Sequence, residues 1–301
     1  MTTTASPDAL PLDPEALPIR RLSLADHTAC LDLAESRGWG RKDRKWRLLL
    51  AAGRGYGIDA PAGDPVGGLV ATVVATSCAG TLGAISMVLT AERYGRRGLA
   101  SRLLRHVIAE AAGTPLFLSA TQEALPLYRR FGFAEAGASD TFRGHFTGSR
   151  PAPAAEASGV RPATAADLPG VLALDRTAFG ADRTDLLARL PSFADQFLVA
   201  EDGGALTGFA AAWPQPASTV LGPVIARDPA TAQALISRLA AGAPAGVPLR
   251  TDVDRRHPEL ADWLAANGLV PHGTSTLMTL GIRDLPGDIT RRFAPLSSAV
   301  G

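Results

Sequence analysis

A glycine- and arginine-rich stretch carries the clearest chemical signal in this 301-residue chain. Residues 94–100 are YGRRGLA; they follow the apolar run ISMVLT (85–90) and precede SRLLRHVIAEAA (101–112), whose apolar residues have helical spacing. The stretch therefore joins a predicted strand to a predicted helix. The first turn of a helix presents unpaired backbone N–H groups and the positive end of the helix dipole. An anion is the expected occupant.

The residue types at this joint favour a phosphate or diphosphate group. Gly95 and Gly98 allow positive φ and close backbone approach, and Arg96 and Arg97 offer charge-assisted hydrogen bonds. The alternative is a tight turn with two solvated arginines. Neither G-x-x-x-x-G-K-[ST] nor G-x-G-x-x-G occurs here, which argues against a P-loop or a Rossmann dinucleotide site.

Composition indicates an ordinary globular protein of about two domains. Hydrophobic residues make up 46% of the chain and charged residues 20%, and the formal net charge is +1. So balanced a charge predicts neither a nucleic-acid nor a membrane partner. Cys30 and Cys78 have no CxxC spacing and are expected to be buried thiols in a reducing cytoplasm. No 18-residue apolar run or signal-peptide pattern occurs, so we expect a cytoplasmic, non-exported protein.

The apolar periodicity predicts mixed secondary structure around the joint. Strands are expected where β-rich runs alternate with turn residues, and helices where apolar residues recur every three or four positions. The predicted order is a strand (18–23), two helices (24–36, 42–53), three antiparallel strands (55–60, 66–77, 82–90), a helix (99–111), a strand (115–120), a short helix (123–131) and a strand from 132.

The chain then repeats this plan. Residues 160–180 resemble 19–40 in strand, turn, Ala-Asp and helix, and 262–273 resemble 127–137 in short helix, glycine and strand. A repeat of this length predicts two copies of one domain rather than a solenoid. The expected divisions are a flexible leader (1–17), a first domain (18–146), a Pro/Ala/Ser-rich linker (147–158), a second domain (159–284) and a tail without interpretable periodicity (285–301).

Two motifs together resemble the GNAT superfamily of acetyl-CoA-dependent N-acetyltransferases. These are VLTAERYGRRGLASRLL (88–104) and LYRRFGF (127–133). The family signature [Gln/Arg]-x-x-Gly-x-[Gly/Ala] is matched from Arg96 to Ala100, but its leading position holds Gly95. The resemblance covers residues 18–137 well and 159–284 weakly. The two-domain layout of the chain is similar to that of a bacterial subgroup with a GNAT domain in each half.

The resemblance implies an α+β fold of two tandem GNAT-like domains, each a mixed, mostly antiparallel splayed sheet flanked by helices. It implies that the fourth and fifth strands separate near Met87–Leu89 and Phe117–Ala120, with the pantetheine arm of acetyl-CoA in the gap. The cofactor-binding residues it implies are Met87, Val88, Leu89, Gly95, Arg96, Arg97, Gly98, Leu99, Ala100 and Ser101.

The resemblance also implies the reaction: transfer of an acetyl group from acetyl-CoA to an amine, an acyltransferase activity. Tyr128 matches the position of a tyrosine that protonates the departing thiolate in many relatives; alternatively it packs beside Phe131 and Phe133. Glu123, Asp43 and Asp59 are the candidate bases, and unassisted attack by a neutral amine is equally open. Lys45–Trp46 and residues 53–60 fall where the acceptor pocket is usually covered, or else pack in the core.

The second copy lacks these features. Asp228–Pro229 replaces the arginine pair and Leu264 matches Tyr128, so we expect a degenerate domain that does not bind acetyl-CoA. The five histidines show no metal-ligand spacing, and no metal is expected. Three functions remain open: an N-acetyltransferase for a small-molecule amine, a non-catalytic coenzyme A sensor, and a transferase for protein or aminoacyl-tRNA. The acceptor, the acyl chain and the oligomeric state are left open.

Overall fold

The computed structural model describes residues 16–148 (the first half) and 159–301 (the second half). The leader expected over 1–17 and the linker over 147–158 lie almost wholly outside the described residues. The described strands are β1 Ile19–Leu22, β2 Arg54–Asp59, β3 Leu69–Cys78, β4 Leu82–Thr90, β5 Leu116–Ala120, β6 Ala134–Gly144, β7 Arg161–Pro162, β8 Gln196–Asp202, β9 Ala205–Gln215, β10 Ser218–Ala226, β11 Leu249–Asp254, β12 Leu269–Leu280 and β13 Arg292–Ala294.

Helices flank these strands in both halves, as the apolar periodicity predicts. They are α1 His27–Ser36, α2 Asp43–Ala52, α3 Leu99–Glu110, α4 Leu125–Arg130, α5 Leu168–Phe179, α6 Thr184–Leu187, α7 Leu190–Phe193, α8 Pro229–Ala241 and α9 Pro258–Ala266. Short 3₁₀ turns precede α1, α3, α4 and α5. Strands β2, β3 and β4 form the expected antiparallel meander.

The internal duplication is visible in the hydrogen bonds that start each half. Before α1, the Ser23 backbone N–H donates to Asp26 Oδ2 at 2.8 Å; before α5, the Thr164 N–H donates to Asp167 Oδ2 at 2.7 Å. Each is a capping box, which pairs helix-end donors that would otherwise lack partners. Each carboxylate also pairs at 2.8 Å with an arginine of the preceding strand.

The two halves share one sheet by exchanging strands. The order is β1-β2-β3-β4-β5-β12-β6-β11-β10-β9-β8-β7, with β13 paired to β10. Strand β12 of the second half therefore lies between β5 and β6 of the first, and β6 lies between β12 and β11 of the second. Each half thus relies on a strand of the other to complete its sheet.

The hydrophobic core is also shared between the halves. Trp46 on α2, Phe193 on α7 and Trp213 on β9 belong to one buried cluster, and the Phe193 and Trp213 rings lie 5.0 Å apart. Helix α2 contacts β3 of its own half and β9 of the other. Separating the halves would expose this apolar surface and leave sheet edges unpaired.

Candidate functional site

The joint between β4 and α3 has the backbone geometry of a cradle. Gly98, the residue before α3, has φ +83°, a conformation that glycine adopts without strain. Arg96 has φ +59°, which is unusual for a residue with a side chain. The expectation of positive φ at Gly95 is wrong: its φ is −58°, and a Cβ there would lie 3.0 Å from the Glu92 carbonyl oxygen.

The first turn of α3 leaves its backbone donors available. No side chain caps the helix, so the amides of Leu99, Ala100 and Ser101 have no partner within it. The same three residues belong to the lining of a cavity of about 620 Å³, which we call the diphosphate cavity. It is lined by Thr90, Tyr94, Arg96, Arg97, Gly98, Leu99, Ala100, Ser101, Arg105, Leu127 and Arg130. Four arginines and a helix dipole make it strongly electropositive.

A buried carboxylate that no sequence motif indicated supports the wall of this cavity. Asp64 accepts hydrogen bonds from the Tyr94 hydroxyl, from Arg93 Nε at 3.2 Å and from the Gly67 N–H at 2.7 Å. The Tyr94 bond, then those from Arg93 and Gly67, hold the pKa of Asp64 well below its usual range although burial acts in the opposite direction. The Arg97 guanidinium carbon lies 5.5 Å from the Tyr94 ring centroid.

Strands β4 and β5 separate beside the joint. They pair only at Gly83–Leu116 and Ala84–Phe117. Past these pairs β4 contains a bulge, at which Met87 has φ +50° and its carbonyl accepts a hydrogen bond from Thr72 Oγ1 at 2.9 Å. The bulge turns the last residues of β4 away from β5, which opens the gap between the strands.

A second cavity of about 500 Å³, the acceptor-side cavity, adjoins the gap and shares Thr90 and Arg96 with the diphosphate cavity. It is lined by Arg37, Trp39, Val88, Leu89, Thr90, Glu92, Gly95, Arg96, Thr121, Glu123 and Ala124. Together the two cavities bring all the proposed cofactor residues except Met87 to one continuous surface.

The candidate bases are distributed unequally around this surface. Glu123 lines the acceptor-side cavity, whereas Asp43 pairs with Arg47 and Asp59 pairs with Arg20 at the sheet edge. Glu92, which was not proposed from the sequence, also lines the cavity. Glu92 closely follows β4 and lies inside the motif 88–104, so its place in the sequence could have indicated it as a candidate base.

Tyr128 lies on α4 and is 6% exposed. Its ring packs against Phe133 with centroids 6.0 Å apart. The residue therefore has the predicted packing role, and this role is compatible with a chemical one. Burial raises the pKa of the hydroxyl to about 12, which keeps it protonated at neutral pH. Its neighbours Leu127 and Arg130 line the diphosphate cavity, and Ala124 lines the acceptor-side cavity.

The acceptor-side wall differs from the expected one. Trp46 is fully buried in the core, and the Tyr56 hydroxyl donates to Glu110, so neither faces the two cavities. Arg37 and the exposed Trp39, in the loop between α1 and α2, line the acceptor-side cavity instead. A tryptophan flanked by Gly38 and Gly40 could have indicated this from the sequence.

The equivalent joint of the second half is closed by the chain itself. Asp228 caps α8, with Oδ1 accepting the Thr231 N–H at 2.8 Å where α3 leaves its donors unpaired. Strands β10 and β11 pair only at Thr219–Leu249 and Val220–Arg250 before separating, as β4 and β5 do. Leu264, the counterpart of Tyr128, is buried in the core of this half.

Strand β13 then occupies the gap between β10 and β11. Strand β10 contains a bulge between Leu221 and Val224. Past it, β13 pairs with β10 at Val224–Ala294 and Ile225–Arg292, and β13 also contacts β11. The cavity at this joint is about 240 Å³ and is partly lined by Ile289, Thr290 and Phe293 of the tail. Residues 285–301 therefore fill the place that is open in the first half.

Within 16–148 and 159–301, no group of three or more histidine, cysteine, aspartate or glutamate side chains is arranged to hold a metal ion. No helix in this part of the chain is long and apolar enough to cross a membrane.

Comparisons with known proteins agree with this geometry. Residues 21–133 match the acetyltransferase (GNAT) family and residues 171–294 match an acetyltransferase (GNAT) domain. The chain is 32% identical over 241 residues to the protein named uncharacterized N-acetyltransferase YitH of Bacillus subtilis (strain 168), covering 79% of this chain and 82% of that protein.

Solved structures share the fold. A protein from Pyrococcus horikoshii matches with a TM-score of 0.76 at 16% identity, covering 99% of this chain and 100% of its own. A tandem GNAT protein from the clavulanic acid biosynthesis pathway matches with a TM-score of 0.64 at 14% identity, covering 88% and 98%. The predicted fold class of two tandem GNAT-like domains is thereby confirmed. The chain is an acyltransferase of the GNAT acetyltransferase family, with a domain of that family in each half.

Proposed function

We propose that the first half transfers an acetyl group from acetyl-CoA to the primary amine of a small molecule, by direct attack in a ternary complex. The observation that carries this proposal is the uncapped first turn of α3, which opens into an arginine-lined cavity beside the gap between β4 and β5. The diphosphate of acetyl-CoA needs free backbone donors such as those at the start of a helix, and its pantetheine arm needs an open strand edge beside them.

The residues present fit acetyl-CoA. The amides of Leu99 to Ser101, with Arg96 and Arg97, would hold the diphosphate. The edge of β4 at Val88 and Leu89, which β5 leaves unpaired, offers backbone groups to the pantetheine amides. The Met87 carbonyl already accepts the Thr72 hydroxyl, and only its second lone pair remains for such a bond.

The reaction needs one proton donor and one proton acceptor. As the amine nitrogen bonds to the acetyl carbon and the carbon–sulfur bond breaks, Tyr128 would donate its hydroxyl proton to sulfur. Its raised pKa suits a donor at neutral pH. The proton lost by the amine would pass to Glu123, Glu92 or solvent, all of which adjoin the acceptor-side cavity.

We further propose that only the first half binds the cofactor. In the second half the Asp228 carboxylate would repel a diphosphate, and β13 already pairs with the strand edge that pantetheine would need. Two molecules of coenzyme A bound per chain would contradict this assignment.

A thiol-release assay tests the proposed activity. The intact chain, acetyl-CoA and a panel of primary amines are expected to give free coenzyme A at a rate that depends on the amine. Binding of coenzyme A without release for any amine would contradict the proposal and favour a sensor. Release only with a protein or aminoacyl-tRNA acceptor would contradict its small-molecule part.

A further inference from the structure

The diphosphate cavity carries more positive charge than a diphosphate alone would balance. Arg96, Arg97, Arg105 and Arg130 all line it, and none of its described lining residues is a carboxylate. Three of these arginines, Arg96, Arg97 and Arg130, make no ion pair with another described residue. The start of α3 adds about half a positive charge. Since a diphosphate that joins two alcohol groups carries two negative charges, the cavity suits a ligand with a further anionic group.

The four arginines occupy two different places along the chain. Arg96 and Arg97 belong to the turn before α3, next to the free amides of its first residues. Arg105 lies one helical turn beyond Ser101 on α3, a rise of about 6 Å, and Arg130 is the last residue of α4. We call Arg105 and Arg130 the outer arginines, because they can reach an anion beyond the one at the first turn of α3.

Neighbouring arginines in both motifs are engaged elsewhere, which sets Arg130 apart. Arg129 precedes it on α4 but pairs with Glu135, and Arg93 pairs with Asp64 at 3.2 Å. Neither Arg129 nor Arg93 lines the diphosphate cavity. Of the two consecutive arginines in LYRRFGF, the second therefore contributes its charge to the cavity, while the first stabilises the fold.

Arg97 is held close to the start of α3. Its guanidinium carbon lies 5.5 Å from the centroid of the Tyr94 ring, which favours a nearby cation. Tyr94 is 4% exposed and its hydroxyl donates to Asp64, so this ring is fixed in position. Arg97 is thus placed for the diphosphate, and the outer arginines are left for another group.

The cavity is also larger than a diphosphate requires. Its volume of about 620 Å³ lies within the range of roughly 300–1,000 Å³ that is typical of cavities for drug-sized ligands. In coenzyme A the diphosphate is attached to an adenosine whose ribose carries a phosphate monoester at its 3′ position. Leu127, which is partly buried against the core, adds apolar surface to the lining between these charges.

From these observations we infer that Arg105 and Arg130 bind the 3′-phosphate of coenzyme A, so that the first half discriminates coenzyme A from its 3′-dephospho form. The inference rests on the proposed function, because it requires acetyl-CoA to occupy this cavity. It gives the second arginine of LYRRFGF a part in cofactor specificity that the diphosphate cradle does not need.

The two kinds of phosphate differ in how they respond to pH. A phosphate monoester gains its second negative charge with a pKa near 6, whereas the diphosphate keeps its charge across the neutral range. The arginines in the lining stay protonated throughout. Tyr94 is the other titratable side chain of the described lining, and burial first, then its bond to Asp64, raise its pKa, so it stays neutral. Discrimination should therefore be greater at about pH 7.5 than at about pH 5.5.

Titration calorimetry of the intact chain with coenzyme A and with 3′-dephospho-coenzyme A tests the inference without needing turnover. At about pH 7.5 the dephospho form is expected to bind at least roughly tenfold more weakly, because it lacks the charge-assisted hydrogen bonds to the outer arginines. The ratio of the two affinities should shrink at about pH 5.5. Affinities within about threefold of each other at pH 7.5 would overturn the inference.

Variants identify the groups responsible. Arg130→Gln and Arg105→Gln should each weaken binding of coenzyme A roughly tenfold or more while leaving the dephospho form within about threefold, since its affinity does not depend on these arginines. Arg129→Gln removes the same charge from the same helix and should leave both affinities nearly unchanged. Retained binding of the dephospho form also shows that each variant is folded. Equal weakening of both ligands by Arg130→Gln would contradict the assignment.

The outcomes for this inference and for the proposed function can be told apart. If the inference alone fails, both forms of coenzyme A bind equally well and thiol release with amines is intact. If acetyl transfer alone fails, thiol release is absent with every amine although coenzyme A still binds more tightly than its dephospho form. Absence of binding by either form would remove the proposed function and the inference together.

Discussion

Replacing Arg96 and Arg97 together with glutamate is expected to weaken acetyl-CoA binding by about a hundredfold or more. Each charge-assisted hydrogen bond contributes about 1.5–3 kcal/mol, and the new carboxylates would repel the diphosphate. Arg96 makes no ion pair within the described residues, so its loss removes no internal bridge. Titration calorimetry with acetyl-CoA measures the effect directly.

The matched control changes net charge equally at a distance from both cavities. Arg54 and Arg283 are exposed, and the double variant Arg54→Glu/Arg283→Glu should bind acetyl-CoA nearly as the natural chain does. If Arg96→Glu/Arg97→Glu keeps an affinity within about threefold of that control, the cradle assignment fails. Equal losses in both variants would instead attribute the effect to overall charge.

Changing Tyr128 to phenylalanine is expected to reduce kcat by about a hundredfold or more while leaving acetyl-CoA affinity nearly intact. The variant keeps the ring that packs on Phe133 and removes only the hydroxyl. Because the pKa of this hydroxyl is raised to about 12, it stays a proton donor across the neutral range, and its loss should depress the rate at every pH in that range.

Tyr56→Phe provides the comparison, since Tyr56 is also buried and its hydroxyl donates to Glu110 away from both cavities. Both variants should unfold within a few degrees of the natural chain. Turnover by Tyr128→Phe equal to that by Tyr56→Phe would remove the acid role and leave Tyr128 as a packing residue.

The elements of the first half follow from local patterns. Helix α3 is marked by apolar residues at spacings of three and four, and β2 to β4 by apolar runs separated by turn residues. The duplication could also be predicted from the sequence, because the turn before the first helix of each half carries its own capping residues. These features depend on neighbours within a few positions of one another.

The strand exchange and the fate of the tail depend on long-range pairing that no local pattern encodes. Strand β12 could have completed the sheet of its own half, and only the assembled chain shows it between β5 and β6. Residues 292–294 are too short to signal a strand. They become one because β10 offers an unpaired edge past its bulge.

One part of the candidate site is contiguous in the sequence, and the other part is assembled by the fold. The cradle from Gly95 to Ser101 is contiguous in sequence and could be found there. The Asp64 support lies about thirty residues before Tyr94, and Trp39 lies far before Glu123 in the sequence although both line the acceptor-side cavity. Tertiary structure alone brings such groups together.

A crystal structure of the full chain with coenzyme A tests the central claim most directly. One molecule is expected, with its diphosphate on the amides of Leu99 to Ser101 and its pantetheine arm along β4 at Val88 and Leu89. The second half should keep β13 against β10, with no ligand there. A diphosphate bound away from the start of α3, or beside Asp228, would contradict the account.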